Sequence, residues 1–332
     1  MIEYRCFQND DVPKLKAFWR TLSDVPGLSL DARVVAWEET ALAKPWFRQE
    51  ELILACEADR VVGLVHFGFG PDARGDDLDP QKGVLSQVLV SPRATAEERS
   101  EIAAELLRRC REELAREGAK EISALGARPN CPFYVGLYGG SRAAGLYASD
   151  ALRRSWLEDA GFRLTEERLV LRRSLRTFST VVNRLQIQIK REHDVTIDDP
   201  ADADCWYTGC AEMPQQRRRF SICQRKTGEP RGSVDAWTPP PTVSTWAGPC
   251  YGLTNLRIEE NLLRKGMATY LLGETLARLK KEGAQEVEVQ IDAADQALTG
   301  LFKKLEFLEA DRKLLFAFDI VEGREESGES RK

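Results

Sequence analysis

Two adjacent cations and two small residues, Arg264, Lys265, Gly266 and Ala268, lie where an apolar-alternating run (251–258) gives way to a helical pattern reaching to 283. A helix start leaves backbone N–H groups unpaired and carries partial positive charge. Small residues there let phosphates approach the main chain. The chemistry this suits is a pyrophosphate cradle; a plain strand-to-helix turn is the other reading of Gly-x-Ala. Other chemistries have less to work with. The eight cysteines form no Cys-x-x-Cys pair, and there are only two histidines, His66 and His193. A zinc-type site and a histidine-based triad therefore lack their residues, and no metal is expected.

The elements that must position the cradle follow from periodicity. In the second half a strand is expected over 184–190, a short helix around Trp206 and Tyr207, and a hairpin over 220–237 turning at 227–230. A stiff loop at Pro239, Pro240 and Pro241 precedes the strand, cradle and long helix; a strand (286–291), a helix (295–305) and a last strand (313–318) follow. The first half reads as a strand (2–7), two helices (11–22 and 31–43), a hairpin (51–69), a strand (83–90), a helix (96–117) and a strand (121–125). A Gly/Tyr-rich segment without helical periodicity (128–150) comes next, then a helix (150–159) and closing strands (163–173). Tyr134, Tyr138 and Tyr147 on that segment either line an acceptor pocket or pack the loop onto its own half.

The chain has 332 residues, 42% of them hydrophobic and 30% charged, with a net charge of −5. That length suggests about two domains, 1–175 and 182–320, with a polar, disordered tail at 321–332. Interspersed charges of both signs argue against general nucleic-acid binding. No apolar run approaches the roughly 20 residues of a membrane helix. The N-terminus shows no secretory pattern, so a cytoplasmic protein with reduced thiols is expected.

The halves repeat. Leu106, Leu114, Gly118 and Ile122 match Leu271, Leu279, Gly283 and Val287 at an offset of 165 (271 − 106), and Asp150 and Phe162 match Asp295 and Phe307 at 145 (295 − 150). Where the second copy has its glycine loop, the first has residues 91–99, without glycine and with Glu97 and Glu98 where phosphates would approach.

Strand, Arg264-Lys265-Gly266-Met267-Ala268 and long helix resemble the cofactor loop of the GNAT (Gcn5-related) N-acetyltransferases, Gln/Arg-x-x-Gly-x-Gly/Ala, with Leu263 departing at the first position. The element order fits the same family, in a tandem arrangement. The resemblance implies an α/β (α+β) protein of two GNAT-type domains, each a mixed, mostly antiparallel sheet flanked by helices. It implies acetyl transfer from acetyl-CoA to an amine, of a small molecule or a protein N-terminus. Leu256, Arg257 and Ile258 would pair with pantetheine. Leu263, Arg264, Lys265, Gly266, Met267, Ala268 and Thr269 would hold the pyrophosphate. The family's Asn-x-x-Ala-x-x-Leu-Tyr motif maps onto Asp295 to Phe302, which leaves Phe302 at the position of a proton-donating Tyr. Tyr251, Asp235 and Glu259 are candidate bases near the expected cleft, each with a structural or solvated role as the alternative. The run Arg217, Arg218, Arg219 either meets an acidic group or forms a solvated face. The missing acid and base keep a second expectation open, a catalytically inactive CoA-binding sensor or interaction scaffold. A transferase of longer acyl chains is a third.

Overall fold

The computed structural model describes residues 1–30, 34–126, 131–142, 144–212, 216–238 and 249–320. The expected Pro-rich loop at 239–241 and the polar tail at 321–332 lie outside them.

The first half runs β1 (Ile2–Cys6), α1 (Val12–Trp19), α2 (Val34–Trp37), β2 (Leu52–Glu57), β3 (Arg60–Pro71), β4 (Leu78–Val90), α3 (Ala96–Arg116), β5 (Glu121–Ala124), β6 (Leu146–Tyr147), α4 (Ala151–Asp159) and β7 (Arg163–Ser174). The second runs α5 (Arg184–Glu192), β8 (His193–Asp198), α6 (Trp206–Glu212), β9 (Gln216–Gln224), β10 (Pro230–Thr238), β11 (Cys250–Ile258), α7 (Met267–Lys281), β12 (Glu286–Asp292), α8 (Gln296–Lys304) and β13 (Leu308–Asp319).

Residues 184–190 are helical, not the expected strand. Leu185, Ile187 and Ile189 alternate, but Asn183 caps a helix here, accepting from the Gln186 N–H at 2.9 Å. Gln186 and Ile189, three apart, are the buried residues. The half's first strand is β8 instead, whose alternating burial marks one covered face.

All the strands join one sheet in the order β1-β2-β3-β4-β5-β13-β7-β12-β11-β10-β9-β8, with β6 attached to β13. Among the described strands only β4/β5 and β11/β12 pair in parallel. The closing strands are exchanged. β7, expected to close the first half, pairs with β12 and β13, and β13 pairs with β5. The cores record the same exchange. Leu314 and Phe316 of β13 pack with α3 and α4, whereas Leu169 and Leu171 of β7 pack with α7 and α8. At the centre Lys313 stands opposite Arg168. Their separation is 145 (313 − 168), the offset of the downstream repeat, so the two-fold relating the halves passes through this pair.

Candidate functional site

β11 and β12 pair from Cys250↔Glu286 to Leu253↔Val289 and then part. Beyond that point β11 runs on beside β10, and β12 beside β7. β10 registers Asp235 with Thr254 but Ser233 with Arg257, so Asn255 and Leu256 together face Val234. Asn255 adopts a left-handed φ of 53° at this bulge. A bulge bends its strand and ends regular pairing. The resulting gap is a cavity of about 380 Å³ lined by Leu253, Leu256, Val289, Ile291, Leu298 and Phe302, with Arg168 and Glu166 at its polar side. Arg168 donates to Glu166 at 2.9 Å, and burial lowers its pKa.

Past Ile258 the chain reaches α7 through the predicted cradle. Gly266 is the N-cap, left-handed at φ 82°, and no side chain caps the helix start. Leu263, Arg264 and Lys265 are exposed, while Met267 and Thr269 are buried and fix the first turn. A Cβ on Gly266 would stand 2.9 Å from Leu185 Cδ2 and 3.1 Å from Gln186 Nε2. The N–H groups of this turn are thus presented on a rigid start, as an anion requires.

The first half closes both features. Thr95 caps α3 by accepting from the Glu98 N–H at 3.3 Å, and the Thr95 N–H donates to the Glu98 carboxylate at 2.9 Å. β4 and β5 also part, after Leu85↔Ala124. Their gap, however, holds Arg153, 2% exposed, which donates to Asp150 (2.6 Å), Gln87 Oε1 (3.1 Å) and the Tyr138 hydroxyl (3.2 Å). A groove of about 820 Å³ beside α1 and α3 meets neither gap. Thr95→Ala is expected to cost about 1 kcal/mol in urea unfolding, the usual value of an N-cap, with CoA-dependent stabilisation unchanged. Loss of that stabilisation would place the phosphates on the first half.

A second cavity, of about 260 Å³, adjoins the gap and shares Arg142, Thr254 and Asn255 with it. One wall is the Gly/Tyr-rich segment, through Cys131, Val135, Ser141, Arg142 and Ala144; the other holds Asp204, Cys205, Thr208, Glu212, Trp237 and Arg257. The second half pins this segment. Buried Glu288 accepts from the Ser141 N–H at 2.6 Å, Gln290 Nε2 donates to the Gly139 carbonyl at 2.7 Å, and Trp237 Nε1 donates to the Ser141 carbonyl at 3.2 Å. Lys313 Nζ donates to the Arg142 and Ala144 carbonyls at 3.2 and 3.3 Å. Burial lowers the Lys313 pKa to about 7. In return, Lys44 of the first half donates to the Cys210 carbonyl at 2.6 Å, holding the end of α6.

The three tyrosines do not line this cavity. Tyr134, Tyr138 and Tyr147 are buried in the core of the first half. The candidate bases are placed as follows. Tyr251 lies in the paired part of β11, outside both cavities. Glu259 pairs with Arg231 at 3.2 Å and also lies outside them. Asp235 is fully buried, accepting from Arg219 Nε (2.7 Å) and Nη2 (3.0 Å), Arg217 Nη1 (3.4 Å) and Asn255 Nδ2 (3.0 Å). With both oxygens engaged it braces the bulge instead of facing an acceptor. The arginine run is likewise no plain solvated face: Arg217 is 5% exposed, and Arg218 pairs with Asp199 at 2.9 Å. Asp295 caps α8, accepting from the Leu298 N–H at 2.9 Å. Phe302 lines the gap while packing edge-on against Phe307.

Residues 186–307 match the model of the acetyltransferase (GNAT) family. The fold of the whole chain is similar to that of a tandem GNAT protein from the clavulanic acid biosynthesis pathway, at TM-score 0.67 and 12% identity over 97% of this chain and 100% of that one. The second half thus matches the GNAT family model, and the whole has the tandem GNAT fold. A GCN5-related N-acetyltransferase from Sphaerobacter thermophilus is similar over 97% of this chain and 96% of its own, at TM-score 0.63 and 13% identity. So is the glucosamine N-acetyltransferase region of a fungal multi-domain GH3 β-N-acetylglucosaminidase, at TM-score 0.68 and 13% identity, over 96% of this chain and 38% of that one. No curated protein matches the sequence. The chemistry of a GNAT domain is, in general, acyl transfer from acyl-CoA to an amine. Among the described residues no helix is long and apolar enough to cross a membrane, and no group of three metal-ligating side chains occurs.

Sequence reasoning named the tyrosines of this segment and missed its lining residues Cys131, Val135, Ser141, Arg142 and Ala144, and Glu212 opposite them. Glu288 and Gln290 were the available signal. They alternate with Val287 and Val289 on a strand bounded by apolar neighbours, so two polar side chains on one face needed partners.

Proposed function

We propose that the protein transfers an acetyl group from acetyl-CoA to the amine of a small molecule, with the cofactor in the gap between β11 and β12. One contrast carries this reading: the second half pairs an open gap with an uncapped helix start, while the first fills the one and caps the other. The second-half residues fit the cofactor. The N–H groups of Met267, Ala268 and Thr269 would hold the pyrophosphate, with Arg264 and Lys265 beside them. Leu256, Arg257 and Ile258 would pair with the pantetheine arm, and Leu298 and Phe302 would cover its apolar side. When bound, the thioester supplies an electrophilic carbonyl. The protein supplies alignment, because the cavity shared at Thr254 and Asn255 brings the acceptor to the mouth of the gap. Phe302 has no proton to give, so the leaving sulfur takes its proton from the acceptor nitrogen or from water.

Phe302 also favours a second reading, a CoA-binding sensor without turnover. Thiol release from acetyl-CoA, measured with and without candidate amines beside the thermal midpoint, separates the two. Stabilisation with amine-dependent thiol release supports transfer, stabilisation alone supports the sensor, and no stabilisation defeats both. All eight cysteines are free. That suits a reducing compartment, and a cytoplasmic location belongs to this reading.

A further inference from the structure

We infer that the 260 Å³ cavity takes a small amine that also carries a carboxylate, an α-amino acid by class, with Glu212 receiving the amine and its proton and Arg257 receiving the carboxylate. This rests on the acyl-transfer reading and supplies its missing base. Beside Arg142, three charged side chains of the cavity differ in exposure. The Glu212 side chain is 22% exposed, that of Asp204 37%, and that of Arg257 70%. An acid inside and a guanidinium at the mouth admit a zwitterion amine first. The cavity shares Arg142, Thr254 and Asn255 with the gap. A volume of this size suits a small molecule.

The carboxylates near this place differ in what occupies them. Asp235 has its oxygens filled by Arg217, Arg219 and Asn255. Asp204 accepts from Arg219 at 3.0 Å and stands 3.7 Å from Arg257, a long contact that leaves that guanidinium able to turn to a ligand. Glu212 has Arg217 at 3.6 Å, beyond hydrogen-bond distance. It ends α6, whose last carbonyls Lys44 holds from the first half, so the backbone leading to it is held. Burial raises its pKa, opposed by Arg217 of β9 and Arg142 of the segment and reinforced by Asp235 of β10 and Asp204 of the preceding loop. A raised carboxylate matches a general base better than a free one.

The step balances. One ammonium proton passes to Glu212 and on to solvent. The freed amine nitrogen bonds the thioester carbonyl carbon as the C–S bond breaks, and a second nitrogen proton goes to the departing sulfur. The products are an N-acyl amino acid, free thiol and one proton.

The test uses the full chain with acetyl-CoA, the standard L-α-amino acids, and for each its decarboxylated amine and its carboxamide. Thiol release is expected with at least one amino acid, at a kcat/KM at least tenfold above its amine and amide. Glu212→Gln should lower kcat for that acceptor by about 100-fold or more and remove the acid limb of the kcat/KM profile. Its thermal stabilisation by acetyl-CoA should stay at the wild-type value. Arg257→Gln should raise KM about tenfold with kcat nearly kept. Equal use of the decarboxylated amine, turnover of no panel member by a protein that acetyl-CoA stabilises, or an undiminished kcat in Glu212→Gln each overturns the inference. Absence of stabilisation by acetyl-CoA in the wild type overturns the acyl-transfer reading beneath it instead.

Discussion

Acetyl-CoA is expected to raise the thermal midpoint of the wild type, and Gly266→Glu is expected to abolish that rise. A ligand at about 100 times its Kd stabilises the native state by about 2.7 kcal/mol, several degrees for domains of this size. The variant should gain essentially none of it. Two effects add. Position 266 holds φ 82°, which costs a residue with a Cβ about 1–2 kcal/mol, and the added Cβ presses on Leu185 and Gln186. The new carboxylate then stands at the start of α7, where it competes with phosphate for the same N–H groups and the same helix dipole. Gly266→Ala separates the two. It carries the strain without the charge, so its unliganded midpoint should fall while much of the acetyl-CoA shift survives. Each variant is compared with its own unliganded midpoint. A Glu variant that keeps the wild-type shift would remove the phosphates from this loop.

The helix start at Gly266 was legible because its signals are local: small residues, adjacent cations and a helical period within one stretch of chain. The repeat was legible for the same reason, and the Lys313–Arg168 register reproduces its 145-residue offset in space. What escaped was non-local. β7 and β13 occupy equivalent places in their halves, and both are apolar over their centres, so neither sequence says which half it will complete. At 184–190 apolar alternation suited a strand, and Asn183 outweighed it. In the long segment the aromatic residues drew the eye, yet they supply core packing. The wall of the cavity is made by small and polar neighbours, Ser141, Arg142 and Ala144, whose positions depend on Glu288, Gln290 and Lys313 far along the chain. Such partners leave only half of each contact in any one window of sequence.

Asp235→Ala is expected to destabilise the protein by about 3–5 kcal/mol in urea unfolding, the cost of leaving buried charge without its partner. Arg217, 5% exposed, and Arg219 both point at this carboxylate, and Asn255 hangs its bulge conformation on it. Asp235→Asn should cost less than Asp235→Ala, because the amide oxygen still accepts from one neighbour while the charge is gone. The comparison also decides between two roles for the residue. A base that lost its charge would lower kcat by a factor of about 100 or more with stability nearly intact. A brace would lose stability first, and the acetyl-CoA shift would weaken as Asn255 released the bulge that parts β11 from β12. A double-mutant cycle with Asn255→Ala measures that coupling. An interaction energy of about 0.5–3 kcal/mol is the range for side chains in direct contact, and a value near zero would mean that the gap is opened by something other than this pair.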